Sequence, residues 1–331
     1  MLYKFYLAIF LIFTTFSVNA QQLEILTSGE PVSIRGLSVV SDEIIWVSGS
    51  RGKVGRSTNS GKTWTWVTVA GYEKREFRDI EAIDSNTAII LAIAEPGEIL
   101  KTTDGGRSWK PVYSDSSKGV FMDAFHFEGA YGTAIGDPLE GDSTIYLVTT
   151  NDKGNTWKRV PTTPVVYPGE ACFASSGTNI VTLKAGNYLF ATGGKSSRLF
   201  YNDNVYPLPL LQGKESTGAN SMARSGSQLV IVGGDFANDT IQTGNAALVR
   251  LGKKPAITVP ATPPHGYRSS VAFITAATLI TCGTSGVDIS SDGGKNWKLI
   301  SKDGYHVCQK AKNGSAVYLA GSNGRIARYV Q

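Results

Sequence analysis

Short hydrophobic runs, each closing on a glycine, recur along the whole chain. They are Trp46-Val-Ser-Gly49, Ala92-Ile-Ala-Glu-Pro-Gly97, Gly132-Thr-Ala-Ile-Gly136, Phe190-Ala-Thr-Gly193, Val230-Ile-Val-Gly233, Ile280-Thr-Cys-Gly283 and Tyr318-Leu-Ala-Gly321. Runs this short, rich in β-branched and aromatic residues and stopped by turn formers, predict β-strands rather than helices. Seven of them share about 311 residues once a leader is set aside, or about 44 residues per unit. That is the size of a four-stranded propeller blade.

A second pattern sharpens the first. Four segments repeat Ser/Thr-x-Asp/Asn-x-Gly-x-(Thr/Ser/Asn)-Trp: Ser57 to Trp64, Thr102 to Trp109, Thr150 to Trp157 and Ser290 to Trp297. Each residue type has a mechanical job. The Asp or Asn carbonyl or carboxylate accepts from backbone N–H groups of its own turn. The glycine takes a positive φ, and the tryptophan wedges between neighbouring sheets. The fourth unit keeps only Tyr201-Asn-Asp203 of this turn, and the fifth has lost it. The expected fold is all-β, a seven-bladed β-propeller of four-stranded blades. The spare segment Leu23-Glu-Ile-Leu-Thr27 should complete the last blade, which ends at Arg325 to Val330, and so close the ring.

Composition agrees with a strand-and-turn protein: 37 glycines, 10% aromatic residues and only 18% charged residues. A coiled coil or a disordered chain would look different. The net charge of +5 comes without a long Lys/Arg block, so nucleic acid is not an expected partner. Residues 1–20 combine Lys4, an apolar run from Phe5 to Phe13 and the small-residue end Val18-Asn-Ala20. They read as a secretory signal peptide, with one propeller domain over residues 21–331 and an exported protein, periplasmic or extracellular. The apolar run is short for a membrane span, no cysteine follows it, and no later stretch reads as spanning. A monomer is expected. The three cysteines, Cys172, Cys282 and Cys308, sit among apolar strand residues and read as small buried side chains. A Cys282–Cys308 bond is left open. Without Cys-x-x-Cys or His-x-x-x-His spacing, neither a metal site nor a cofactor is expected. Nothing supports an oxidoreductase, since no Gly-x-Gly-x-x-Gly strand-to-helix unit is present.

Candidate chemistry follows from aligning the entry to each blade's inner strand. The middle column of the seven tripeptides reads Arg35, Arg78, Met122, Glu170, Asn220, Arg268 and His306, and the next column adds Asp79 and Asp123. A channel mouth with three arginines, several carboxylates and a histidine suits an anionic ligand. The alternative is that these charges only pair with one another around channel water.

The four turns resemble Asp-box repeats, found in sialidases, some other glycoside hydrolases, sortilin-type receptors and photosystem II assembly factors. The wider chain most resembles the bacterial branch of the photosystem II stability/assembly-factor-like propellers. The stretches behind this are Ser33-Ile-Arg-Gly-Leu37, Phe77-Arg-Asp-Ile80, Gly136-Asp-Pro138, Gly169 to Gly177, Gly233-Gly-Asp235 and Gly266-Tyr-Arg-Ser-Ser270. The resemblance implies a binding or assembly module whose arginine-rich face (Arg35, Arg78 and Arg268, with Asn220 and His306) engages a client protein, a glycan or an anionic small molecule. The sialidase side of it implies a glycoside hydrolase or lyase acting on an anionic sugar, with Tyr267 and Glu170 as nucleophile pair and Asp79 or Asp123 as acid/base. Two departures weigh against a sialidase. Those enzymes have six blades, and their Arg-Ile-Pro motif is absent, since Arg35 is followed by Gly36-Leu37.

Overall fold

The structure, a computed structural model, describes residues 22–330. The proposed leader lies outside the described residues. The chain forms seven antiparallel blades around a central channel. Their inner strands are Ile34–Val39, Phe77–Ala82, Met122–Glu128, Ile180–Thr182, Thr217–Ser225, Ser270–Phe273 and Val307–Lys310. Each packs against the next, and the seventh returns to the first. No helix among the described residues is long and apolar enough to cross a membrane.

The N-terminal strand Gln22–Thr27 pairs antiparallel with Ile326–Val330, with Leu23 opposite Tyr329 and Ile25 opposite Ala327. It is the outer strand of blade 7, as the spare segment predicted. A ring closed this way leaves no long unpaired edge on the last blade.

Burial explains the strand pattern. The second strand of a blade is covered on both faces by its neighbours, so Ile45–Gly49, Ala88–Ala92 and Leu279–Gly283 are buried throughout. The outer strand faces solvent, so Thr65–Thr68 and Lys110–Asp115 are mostly exposed or half-buried. The core is therefore not one mass. It divides into seven hydrophobic clusters, one at each junction between adjacent blades.

The four repeat turns work as their residue types predicted. Asn59, Asp104, Asp152 and Asp292 each accept the backbone N–H four residues ahead through Oδ1 at 2.9–3.0 Å. The hydroxyls of Ser57, Thr102, Thr150 and Ser290 each accept the N–H of the motif glycine at 3.0–3.1 Å. These donors hold the exposed carboxylates in their charged form. The two bonds from Ser108 pull Asp104 well below the usual range. In Asp152 the bonds from Thr156 and its neighbours outweigh burial and bring the pKa to about 2. The tryptophans wedge toward the preceding blade: Trp109 meets Trp46 edge-on at 6.4 Å, and Trp297 joins the cluster between blades 5 and 6. In the fourth blade, Asn202 and Asp203 instead both take positive φ and make a two-residue hairpin turn.

Candidate functional site

The channel mouth is shaped by β-bulges. In blades 1, 2, 3 and 5 the inner strand carries one extra residue opposite the second strand: Arg35, Arg78, Asp123 and Asn220. In blades 6 and 7 Ser269 and His306 stand one residue ahead of the paired inner strand, and their N–H groups donate to Cys282 O and Ala320 O at 2.8 Å. A bulge re-aims its side chain out of the sheet alternation, which turns this ring of residues toward the channel. The observed column is thus Arg35, Arg78, Asp123, Asn220, Ser269 and His306.

This corrects the sequence alignment at three blades. In blade 3 the channel residue is Asp123, and Met122 is buried in the hydrophobic cluster with blade 2. In blade 6 it is Ser269, and Arg268 falls one position early. A slip of one residue exchanges the faces of a strand. Arg268 accordingly points away from the mouth and is fully buried. Its Nε donates to Asp288 Oδ2 at 2.7 Å, its Nη2 pairs with the same carboxylate, and other N–H groups reach Tyr267 O, Ser285 Oγ and His265 O. Asp288 Oδ1 also meets His265 Nδ1 at 2.6 Å. Arg268 does not join Arg35 and Arg78.

Blade 4 departs most. Glu170–Ala171 pairs with Gly193–Gly194, and the chain then enters the channel before returning as the inner strand. Residues 173–178 form a plug. Arg78 Nη1 donates to Ala174 O at 3.1 Å and Arg35 Nη1 to Ser175 O at 3.4 Å. Ser175 Oγ donates to Asn220 Oδ1 at 3.0 Å, and Ser176 Oγ to Ser269 O at 2.6 Å. The plug is therefore tied to blades 1, 2, 5 and 6. Gly177 is its tightest point: its φ is +70°, and a Cβ there would lie 2.2 Å from the Asp79 carboxyl carbon.

Above the plug lies a cavity of about 450 Å³ lined by Arg35, Arg78, Asp123, Asp137, Phe236 and Tyr267, among others. Arg78 is paired with Glu76, with Nε–Oε2 at 2.6 Å. Arg35 has no carboxylate partner among the described residues, and its one hydrogen bond, to Ser175 O, is long. Burial, and next the neighbouring Arg78 charge, pull its pKa below the ordinary arginine value. Tyr267 donates to Asn220 Oδ1 at 2.9 Å, and burial raises its phenol to about 12. Asp123 is 1% exposed, and neither of its oxygens meets a well-placed donor. The Arg78 charge and the amides of Ala174 and Asp137 favour its charged form. Burial, then the Asp137 charge, raise Asp123 well above the carboxylate range, and burial raises Asp137 to about 6.

The other predicted residues lie elsewhere. Asp79 sits beneath the plug, accepting the N–H groups of Ile80 and Phe125 at 2.8 Å, and burial raises it well above the usual range. Glu170 is buried against Arg198, with Oε1–Nε at 2.8 Å, and also accepts from Thr192. It lines a neighbouring cavity of about 540 Å³. His306 bridges blades, its Nδ1 donating to Ile34 O at 2.9 Å and its Nε2 accepting from Ser322 Oγ at 3.2 Å. Burial, then Arg35, lower it to about 4, so it is neutral. The alignment missed Asp137, Cys172 and the plug. Asp137 entered the sequence reading only within the Gly136-Asp-Pro138 stretch of the resemblance, and only the broken strand spacing of blade 4 (57 residues from Gly136 to Gly193) marks an insertion.

No family model and no curated protein sequence matches the chain. Solved structures do. A structure titled YCF48 bound to D1 peptide superposes with a TM-score of 0.65 at 16% identity, covering 96% of each chain. YCF48 from Cyanidioschyzon merolae gives 0.64 at 16% identity, covering 93% of this chain and 98% of that one. A structure of U3-55K gives 0.63 at 15% identity, with the same coverages. YCF48 is a photosystem II assembly factor, so its propeller is of the kind that the sequence resembled. At such identities the likeness is one of fold, and a function has to be argued from the channel mouth.

Proposed function

We propose that the protein is an exported client-binding propeller that holds an extended polypeptide at the channel mouth by one of its carboxylates. The observation that carries this reading is Arg35, a half-buried guanidinium in an open cavity that forms no ion pair with a carboxylate among the described residues. Arg78 beside it adds positive charge while Glu76 holds its own fork of donors, and the guanidinium of Arg35 suits bidentate capture of a carboxylate. Tyr267 and Phe236 line the apolar wall against which flanking side chains pack. The peptide-bound YCF48 neighbour supports a protein partner over a free glycan or small anion. The test is a peptide array read with the purified protein. Binders should share an acidic side chain or a free C-terminus, and should fail when that group is amidated. Binding indifferent to amidation would overturn the reading.

A second reading rests on Asp123 and Asp137, two carboxyls held above their usual range in the same cavity as Arg78. Paired carboxyls of this kind serve hydrolysis of an anionic sugar. Turnover of fluorogenic acidic glycosides that is lost in Asp123→Asn would support it, and no turnover across the panel would dismiss it.

A further inference from the structure

One group of side chains in the cavity plays no part in the peptide-binding reading of Arg35. Asp123 comes from the bulge of blade 3, Asp137 follows the second strand of the same blade, and Cys172 stands where the chain enters the plug. Far apart in sequence, they bring one carboxylate oxygen each and the Cys172 sulfur within 4.8 Å of one another. All three line the cavity.

Two structural facts set this group apart from an ordinary acidic cluster. Asp123 is 1% exposed, yet both its oxygens lack a well-formed hydrogen bond, and its carboxylate is aimed at the other two. A buried carboxylate of this kind costs several kcal/mol unless something offsets it. Its neighbours offset it only in part: the Arg78 charge and the nearby amides of Ala174 and Asp137 favour the charged form, while Asp137 spends its own Oδ1 on the N–H of Cys172 at 2.8 Å. No lysine or arginine forms an ion pair with either acid among the described residues.

We propose that Asp123, Asp137 and Cys172 bind a divalent transition-metal cation with the ligand preferences of zinc. Carboxylate oxygen and thiolate sulfur are both ordinary zinc ligands. In a tetrahedral site the donor atoms stand roughly 3.3–3.5 Å apart. The three arms therefore have to close by no more than about 1.5 Å, within reach of side-chain rotation. The Cys172 thiol and the protonated Asp123 carboxyl give their protons to solvent as they coordinate, and two carboxylates and one thiolate then surround the ion. Three protein ligands leave a fourth position, and it faces the cavity beside Arg35 and Arg78. Spacing rules could not have found this site, because its ligands belong to no local motif. The fold assembles it by putting a bulge, a strand end and the plug at one depth.

Cobalt(II) is the probe, since it takes zinc sites and reports on its ligands. Titrating the purified, reduced protein should give one equivalent bound, visible d–d bands of a four-coordinate ion and a thiolate-to-cobalt charge-transfer band in the near ultraviolet. Cys172→Ser should lose the charge-transfer band, and the Cys282→Ser, Cys308→Ser double variant should keep it. Asp123→Asn should weaken binding by roughly tenfold or more, with Asp137→Asn as its substitute if that variant does not fold. Absence of the band at saturating cobalt, its survival in Cys172→Ser, or unchanged affinity in a folded Asp→Asn variant would each overturn the proposal. Loss of peptide binding in Arg35 variants would leave all these readings unmoved, so the two proposals fail separately.

Discussion

Arg268 was the third arginine of the sequence column, and its burial makes a quantitative prediction. Arg268→Ala removes a guanidinium whose side chain, like that of Asp288, is fully buried. It leaves Asp288 with only His265 beside it and takes a donor from Tyr267 O, Ser285 Oγ and His265 O. Removing one member of a buried ion pair costs about 3–5 kcal/mol, mostly because the remaining charge is left in a poor solvent. A ring of this length unfolds with an entropy of about 0.65 kcal/mol/K at roughly 2.1 cal/mol/K per residue. The melting temperature should therefore fall by about 5–8 °C. Arg35→Ala gives up one long hydrogen bond and should stay within about 2 °C. Differential scanning calorimetry of the two variants decides. A double-mutant cycle with Asp288→Leu should return a coupling of at least about 2 kcal/mol. An Arg268→Ala protein that melts like the wild type would refute the assignment of this arginine to the scaffold.

The closing seam and its histidine give two more predictions. His306 has its pKa lowered to about 4, chiefly by burial, while the unfolded chain protonates it near its ordinary 6.5. Between these values the unfolded state binds the extra proton, so stability is full above about pH 6.5 and falls as pH drops toward 4. Urea unfolding should show a loss of about 2–3 kcal/mol between roughly pH 7 and pH 4.5 that His306→Gln lacks; equal losses in both proteins would contradict it. Deleting residues 22–27 strips the outer strand from blade 7 and takes half-buried Leu23 and Leu26 out of the clusters on either side of that blade. The leucines alone contribute about 2–3 kcal/mol, so the truncated ring should melt several degrees lower and over a broader range, and an unshifted melting curve would contradict closure by this strand.

The repeats carried the fold because their residue types act locally. A carboxylate that accepts its own turn's N–H groups and a glycine at positive φ work the same way in every blade, as Asp104 with Gly106 and Asp292 with Gly294 do. Leu23 to Thr27 could be placed because blade 7 lacked an outer strand. The channel column was harder. Arg35, Arg78 and Asn220 fall at the same bulge of their blades, where the strand ends had aligned them. Met122 and Arg268 were misaligned, because a bulge adds a residue that leaves no mark in hydrophobic spacing. Glu170 was misplaced for a different reason. The plug it precedes is held by tertiary hydrogen bonds that it accepts from Arg35 and Arg78 and donates to Asn220, and no periodicity encodes those. Asp137 carried no chemical signal in the sequence, and its approach to Asp123 and Cys172 exists only in three dimensions.

The account turns on whether Arg35 receives a carboxylate. Isothermal titration with the strongest peptide from the array measures this directly, in the wild type and in Arg35→Gln, which keeps a polar side chain of similar reach. The account predicts about 2–4 kcal/mol of lost binding energy in the variant, the range for removing one partner of a buried charge pair. It also predicts that amidating the peptide's carboxylate costs little more once Arg35 is gone. Equal affinity for both proteins, or an amidation penalty undiminished in Arg35→Gln, would contradict the account.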